Sequence, residues 1–150
     1  MEGWLHRAFS IFVFDSCGRL LLQRRASHKY HSGGLWSNTC CSHPRPGEAL
    51  EDAVQRRLVE EMGFQCELHP AFHFVYRADV GRGLIEHELD HVFIGHSDAE
   101  VVPNAEEVSD WTWSSPEEVL ADVSARPSRY TFWFRHIVDR TLSYVSAHAA

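Results

Sequence analysis

Between Cys40 and Gly63 the chain concentrates side chains that could do chemistry. Cys40-Cys41-Ser42-His43 comes first, and the run Arg56-Arg57-Leu58-Val59-Glu60-Glu61-Met62-Gly63 follows after two prolines and Gly47. A thiol, an imidazole, paired guanidinium groups and paired carboxylates can together hold a metal ion, a diphosphate and a reactive carbon. That is the equipment of an enzyme. Arg56 and Glu60, and likewise Arg57 and Glu61, are four residues apart and fall on neighbouring positions of one helical stripe. Spacing alone describes two ordinary surface ion pairs equally well.

These residues need elements to position them. Pro44 and Pro46 keep the chain extended or turning, so no helix begins before Gly47. From Glu48 to Met62, apolar residues at Leu50, Ala53, Val54 and Leu58 have helical spacing, and Gly63 stands where a left-handed cap would end the helix. Upstream, Ala8 to Asp15 and Leu20 to Gln23, joined by Ser16-Cys17-Gly18-Arg19, read as a β-hairpin. The stretch Gly33 to Asn38 reads as loop, and so does the Cys40 to His43 motif. Downstream, Ala71 to Tyr76 and Leu89 to Gly95 read as antiparallel strands joined through Asp79 to Gly83, with Glu86-His87-Glu88 leading into the second. Trp111-Thr112-Trp113 is a short strand, Ser115-Pro116-Glu117-Glu118 starts a helix, and Arg129 to Ser146 forms a last helix covering one side of a sheet.

Composition bounds the rest. At 150 residues with 44% hydrophobic content, the chain has the size of a single domain, residues 1–150, with enough apolar surface for a core. A formal charge of −7 argues against general affinity for nucleic acid or anionic lipid, so an anionic ligand must be caught by local basic clusters. Four irregularly spaced cysteines do not make a disulfide framework or a structural zinc site, and no run is apolar for long enough to span a bilayer. The expected setting is cytoplasmic, without nucleic-acid or membrane partners. Cys17, Cys40 and Cys66 read as small buried hydrophobes.

Ser42, Glu48, Arg56, Leu58, Glu60, Glu61, Gly63 and Phe64 fall at the intervals of the Nudix box. Ser42 stands where the box usually has glycine, and Arg57 where it usually has a metal-binding glutamate. An arginine there removes an oxygen ligand and adds positive charge, which disfavours ordinary diphosphate hydrolysis and favours gripping phosphate oxygens. With LHRAFS, LLLQRRA, GLWSNTCCSHP, the Glu86-x-Glu88 pair and Trp133, the chain resembles one Nudix branch from about Leu5 onward: the type I isopentenyl-diphosphate isomerases.

The resemblance implies an α+β fold, a Nudix-type α/β/α sandwich with a mixed, mostly antiparallel sheet and flanking helices. It implies an isomerase of isoprenoid biosynthesis that interconverts isopentenyl and dimethylallyl diphosphate through a tertiary carbocation, working as a monomer or weak homodimer. Cys41 and Glu88 then flank the alkene as the acid and base that a double-bond shift requires. Tyr76 matches a tyrosine near the acidic group and Trp133 an indole facing the cation. Arg25, Lys29, Ser42 and Arg57 would bind the diphosphate. His6, His43, Glu86 and Glu88 would hold Mn²⁺, Mg²⁺ or Zn²⁺, and Glu61 with the backbone carbonyl of Cys41 would hold a Mg²⁺ bridging to substrate. A further histidine ligand, and a strand pairing with the first one, would fall before Met1, so an incomplete amino terminus is expected. The alternatives are a Nudix diphosphohydrolase and a non-catalytic diphosphate-binding module.

Overall fold

The computed structural model describes residues 5–29, 32–81 and 83–148; within these, the side chains of residues 80, 81 and 86 lie outside the description. Its strands are β1 (His6–Phe14), β2 (Leu20–Arg25), β3 (Trp36–Ser37), β4 (Cys40–Ser42), β5 (Leu68–Gly81), β6 (Leu84–His96) and β7 (Val108–Ser114). The helices are α1 (Leu50–Met62), α2 (Pro116–Ala125) and α3 (Phe132–Ala147), with a single 3₁₀ turn at Pro127–Arg129. The sheet runs β3-β2-β1-β6-β5, with β4 added on β1 and β7 on β2. β1 and β6 are parallel, whereas β1–β2, β1–β4, β2–β3, β2–β7 and β5–β6 are antiparallel.

β1 is the central strand, and its near-continuous apolar run AFSIFVF is buried from Ala8 onward because both faces are covered. Phe9, Ile11 and Val13 pack with Leu21, Phe93 and the α1 residues Ala53, Val54, Leu58 and Met62. Phe12 and Phe14 pack on the other side with Val92, Ile94 and the α3 residues Phe134, Ile137 and Val138. The period-two alternation of strand side chains divides one sequence between two cores.

Several expectations change in the folded chain. The β1–β2 hairpin pairs only at Phe14 and Leu20. β2 then diverges to run along β7 from Leu20 to Arg25, because β1 finds partners over its length in β6 and β4. The segments read as loop around Trp36 and Cys40 are short strands; their apolar side chains fill space beside β1 and β2 that the sequence did not reveal. β5 and β6 extend well past their expected ends, and α3 begins at Phe132 rather than Arg129. Cys17 is exposed in the turn after β1 and Cys66 is half-buried, so only Cys40 of the three fits the buried role. α1 begins at Leu50 and ends at Gly63, whose φ of 77° is the left-handed cap the sequence called for. A side chain there would also meet the Val102 backbone oxygen at 2.3 Å. Among the described residues, no helix is long and apolar enough to cross a membrane.

Candidate active site

β1 brings the reactive groups together by lying between the strands that carry them. Ser10 of β1 faces Cys41 of β4, and on the opposite edge Ala8 faces Asp90 and His6 faces Glu88 of β6. The thiol and carboxylate strands are therefore one strand apart on each side, roughly 10 Å between backbones, with small Ala8 leaving room between them. A cavity of about 260 Å³ opens there, lined by Ala8, Phe9, Arg25, Lys29, Cys41, Ser42, His43, Arg57, Glu61, Tyr76, Glu88, Asp90 and Trp133. Each of the four expected catalytic side chains and each of the four expected diphosphate-binding ones borders it.

Cys41 is closely held. Its S–H donates to Asn38 Oδ1 at 3.0 Å, the Trp133 indole N–H donates to Sγ at 2.9 Å, and Ser10 Oγ stands 3.7 Å away. Asn38 is fixed in turn, because its amide nitrogen donates to the carbonyls of Ile11 and Cys40, both at 3.0 Å, which leaves its oxygen to face the thiol. Burial and the nearby Asp90 carboxylate push the Cys41 thiol up to about 12. At neutral pH it carries its proton.

Opposite it, Glu88 is buried, and its Oε1 lies 2.7 Å from His43 Nε2. Asp90 accepts from Ser10 Oγ at 2.9 Å; burial raises it to about 7, and the negative charge of Glu88 adds to the rise. Glu88 Oε2 and Asp90 Oδ1 are buried without a hydrogen-bond partner among the described residues. Acceptor-only oxygens left unpaired beside an imidazole are a donor set that fits a divalent cation. His6, exposed at the start of β1, lines a small cleft with Arg7, His43, Pro44, Arg45 and Pro46, so it shares His43 with the main cavity. Glu86 lies on β6, but its side chain is outside the described residues. Among the described residues no three His, Cys, Asp or Glu side chains form a metal-binding group; the expected set of His6, His43, Glu86 and Glu88 includes Glu86, whose side chain lies outside them.

The basic end of the cavity is an ion-pair network. Arg57 pairs with Glu60 at 2.7 Å, with the buried Glu61, and with Glu107 at 3.5 Å; Lys29 also pairs with Glu107. Against the pull of its own burial, these carboxylates, Glu61 foremost, hold Arg57 firmly cationic. Burial pushes Glu61 up while Arg57 and Gln23 oppose the rise. The Arg25 guanidinium carbon lies 5.2 Å from the centroid of the Trp133 ring. Its neighbour Arg24 points away and donates to the Gly34 carbonyl at 2.9 Å, as strand alternation requires.

Sequence reasoning missed Ser10, Asn38, Asp90 and Glu107. Asp90 alone carried a signal, since two residues after Glu88 on a strand it must share that residue's face.

A NUDIX domain family model matches residues 4–134. Isopentenyl-diphosphate Delta-isomerase 2 of Aromatoleum aromaticum is 60% identical over 149 residues, an alignment covering 99% of this chain and 79% of that protein. Isopentenyl-diphosphate Delta-isomerase of Burkholderia multivorans is 59% identical over 139 residues, 93% of this chain and 79% of its relative. Among solved structures, the MutT protein of Methanosarcina mazei superposes with a TM-score of 0.79 at 20% identity, covering 100% of this chain and 99% of that one. DR0079 of Deinococcus radiodurans gives 0.76 at 23% identity, covering 90% and 82% respectively. At these identities the structural likeness establishes the fold, and the sequence relatives carry the closer kinship.

Proposed function

The chain belongs to the isopentenyl-diphosphate Delta-isomerase family within the NUDIX domain proteins, and from that premise we propose that it interconverts isopentenyl and dimethylallyl diphosphate with the diphosphate left intact. The observation that carries this reading is one cavity bordered by the Cys41 thiol on one side of β1 and the buried Glu88 carboxylate on the other. In the forward direction a proton added to the terminal alkene carbon leaves a tertiary cation, and loss of a proton from the carbon next to the diphosphate-bearing one closes the new double bond. Cys41 and Glu88 are the two proton-transferring groups, and they exchange the roles of acid and base when the reaction runs backward. Trp133 presents an indole to the developing cation, a contribution on the order of 2 kcal/mol in a dry pocket. Tyr76, buried on β5 directly across from Glu88, borders the same space.

Arg25, Lys29, Ser42 and Arg57 grip the diphosphate. Divalent metals serve enzymes of this kind in general. His43 and Glu88, with His6 and Glu86, would hold Mn²⁺, Mg²⁺ or Zn²⁺, and Glu61 with the Cys41 carbonyl would hold Mg²⁺ against the diphosphate. Bound there, such ions would offset the crowded negative charge of carboxylates and substrate. Hydrolysis is disfavoured because Arg57, held among three carboxylates, occupies the box position of a metal-binding glutamate.

The test is incubation with isopentenyl diphosphate in heavy water, with Mg²⁺ and then Mn²⁺, followed by NMR and a phosphate assay. The expected result is deuterium at the terminal alkene carbon with no phosphate released. Cys41→Ala should lower turnover on the order of 10³-fold while keeping affinity for inorganic pyrophosphate. Release of phosphate, or a Cys41→Ala variant with full activity, would sink the reading.

A further inference from the structure

Glu107 does not border the cavity, yet it touches two of the cations that do. Its carboxylate pairs with Lys29 and lies 3.5 Å from Arg57 Nη2, using the same Oε2 atom for both. Lys29 comes from the segment after β2 and Arg57 from α1, so Glu107 stands behind both and joins the two halves of the basic end.

Its own position is fixed by backbone, not by the charges it meets. Ala26 N donates to the Glu107 carbonyl at 3.0 Å, and Glu107 N donates to Asn104 O at 2.9 Å. The same loop is tied to the end of α1, where Asn104 N donates to Glu61 O and Val102 N to Met62 O, both at 2.9 Å. The carboxylate thus sits on a strap that is itself fastened to β2 and to α1, the two supports of the cations it holds. Glu107 stays below the usual carboxylate range because Lys29 and Arg57 outweigh its partial burial.

Lys29 has most to lose without this partner. Arg57 keeps Glu60 and Glu61, and its planar fork is stiff. The Lys29 ammonium sits on a flexible four-carbon stem, and Glu107 is the one carboxylate among the described residues with which it makes an ion pair. We propose that Glu107 is a positioning residue for substrate binding: it anchors Lys29, and secondarily Arg57, so that their charges converge on the diphosphate, without itself touching substrate. A Lys29 freed from it must be ordered anew at each binding event, which weakens capture of the diphosphate and leaves the proton transfers at Cys41 and Glu88 unchanged. The loss of a screened negative charge, which alone would favour an anionic ligand, is the smaller effect.

This inference rests on the isomerase reading, so its test separates the two. Steady-state turnover of isopentenyl diphosphate and calorimetric binding of inorganic pyrophosphate with Mg²⁺ are measured for the wild-type chain, Glu107→Gln, Lys29→Met and the double variant. A wild-type chain that binds pyrophosphate without turning over substrate would sink the isomerase reading and leave the binding arm to judge Glu107. Glu107→Gln should raise KM and the pyrophosphate Kd about fivefold with kcat within about twofold, the pattern of lost binding and not of lost chemistry. In the Lys29→Met background the same substitution should change Kd by less than about twofold, since there is no lysine left to position. An unchanged or tighter Kd in Glu107→Gln, or an undiminished effect in the Lys29→Met background, would overturn the proposal. A melting temperature measured for each variant identifies a fall caused by general unfolding, which would count against a positioning role.

Discussion

At the scale of single residues, Cys41 Sγ is closely held. One donor and one acceptor meet it at hydrogen-bonding distance, from Trp133 and Asn38. In the proposed mechanism the indole whose N–H donates to sulfur would also face the cation, so one side chain would serve both partners of the proton transfer. Trp133→Phe keeps an aromatic face but deletes the donor, and kcat should fall about tenfold with KM within about twofold. Steady-state kinetics would check this, and an unchanged kcat would mean the N–H to sulfur contact has no part in turnover. Cys41, Glu88, Tyr76 and Trp133 were legible as members of a pattern, whereas Ser10 and Asn38 were not. Their importance arises from contacts between β1 and β4, and no local rule tells a reader which distant strand a serine will face. Cys17 failed for the converse reason: its turn is polar and exposed, so a residue type usually found inside came to the surface.

At the scale of elements, the sequence was most readable where structure is local. The capping box at Ser115 and Glu118 and the left-handed end of α1 at Gly63 depend on residues within a few positions of one another. Gly63→Ala should be severe, because the positive φ costs about 1 kcal/mol and the added methyl meets fixed backbone at Val102. A melting temperature several degrees lower is expected, with pyrophosphate affinity reduced as well, because the displaced segment leads to Glu107. The start of α1 was less readable. Ala49 offers no side-chain cap, and the chain instead clasps Glu48 between the Arg45 backbone N–H and the Arg56 guanidinium at 2.8 to 2.9 Å. Hydrogen bonding from Arg56 holds Glu48 down at about 2. A carboxyl depressed in this way stabilises the fold above its ordinary value of 4.5, and the contribution is lost as pH falls toward 2. Glu48→Gln should therefore melt below the wild type at pH 7, with the gap closing as pH falls from 4.5 toward 2; a gap that persisted at the lower pH would mean the clasp does not depend on charge.

At the scale of the whole molecule, the cavity is a meeting of segments far apart in sequence, from β1, the end of β2, β4, α1, β5, β6 and α3. Glu88 Oε2 and Asp90 Oδ1, without a hydrogen-bond partner among the described residues, stand at one end of the cavity, and the ion-paired cations Lys29 and Arg57 at the other. A metal and a diphosphate bound together should therefore stabilise the native chain by more than the sum of their separate effects. At a hundredfold excess over Kd the gain is about 2.7 kcal/mol, a rise of roughly 5 to 10 °C in melting temperature for a domain of this size. Thermal denaturation with Mn²⁺, pyrophosphate and both would measure it, and purely additive shifts would indicate separate sites. The apolar run of β1 was legible as a strand, but its burial on both faces and its parallel pairing with β6 were not, because hydrophobicity does not name a partner.

That pairing sets an order of events. The central strand β1 finds its parallel neighbour only in β6, after β2, β3, β4, α1 and β5 have been made. Until then seven successive residues meant for the interior, Ala8 to Phe14, have no sheet to join on that edge, and the nascent chain is exposed to aggregation and to capture by chaperones. Cys41 is made early, but the cavity it borders needs Glu88 and Asp90 of β6 and Trp133 of α3, so a chain cut short before β6 would carry the thiol without its pocket.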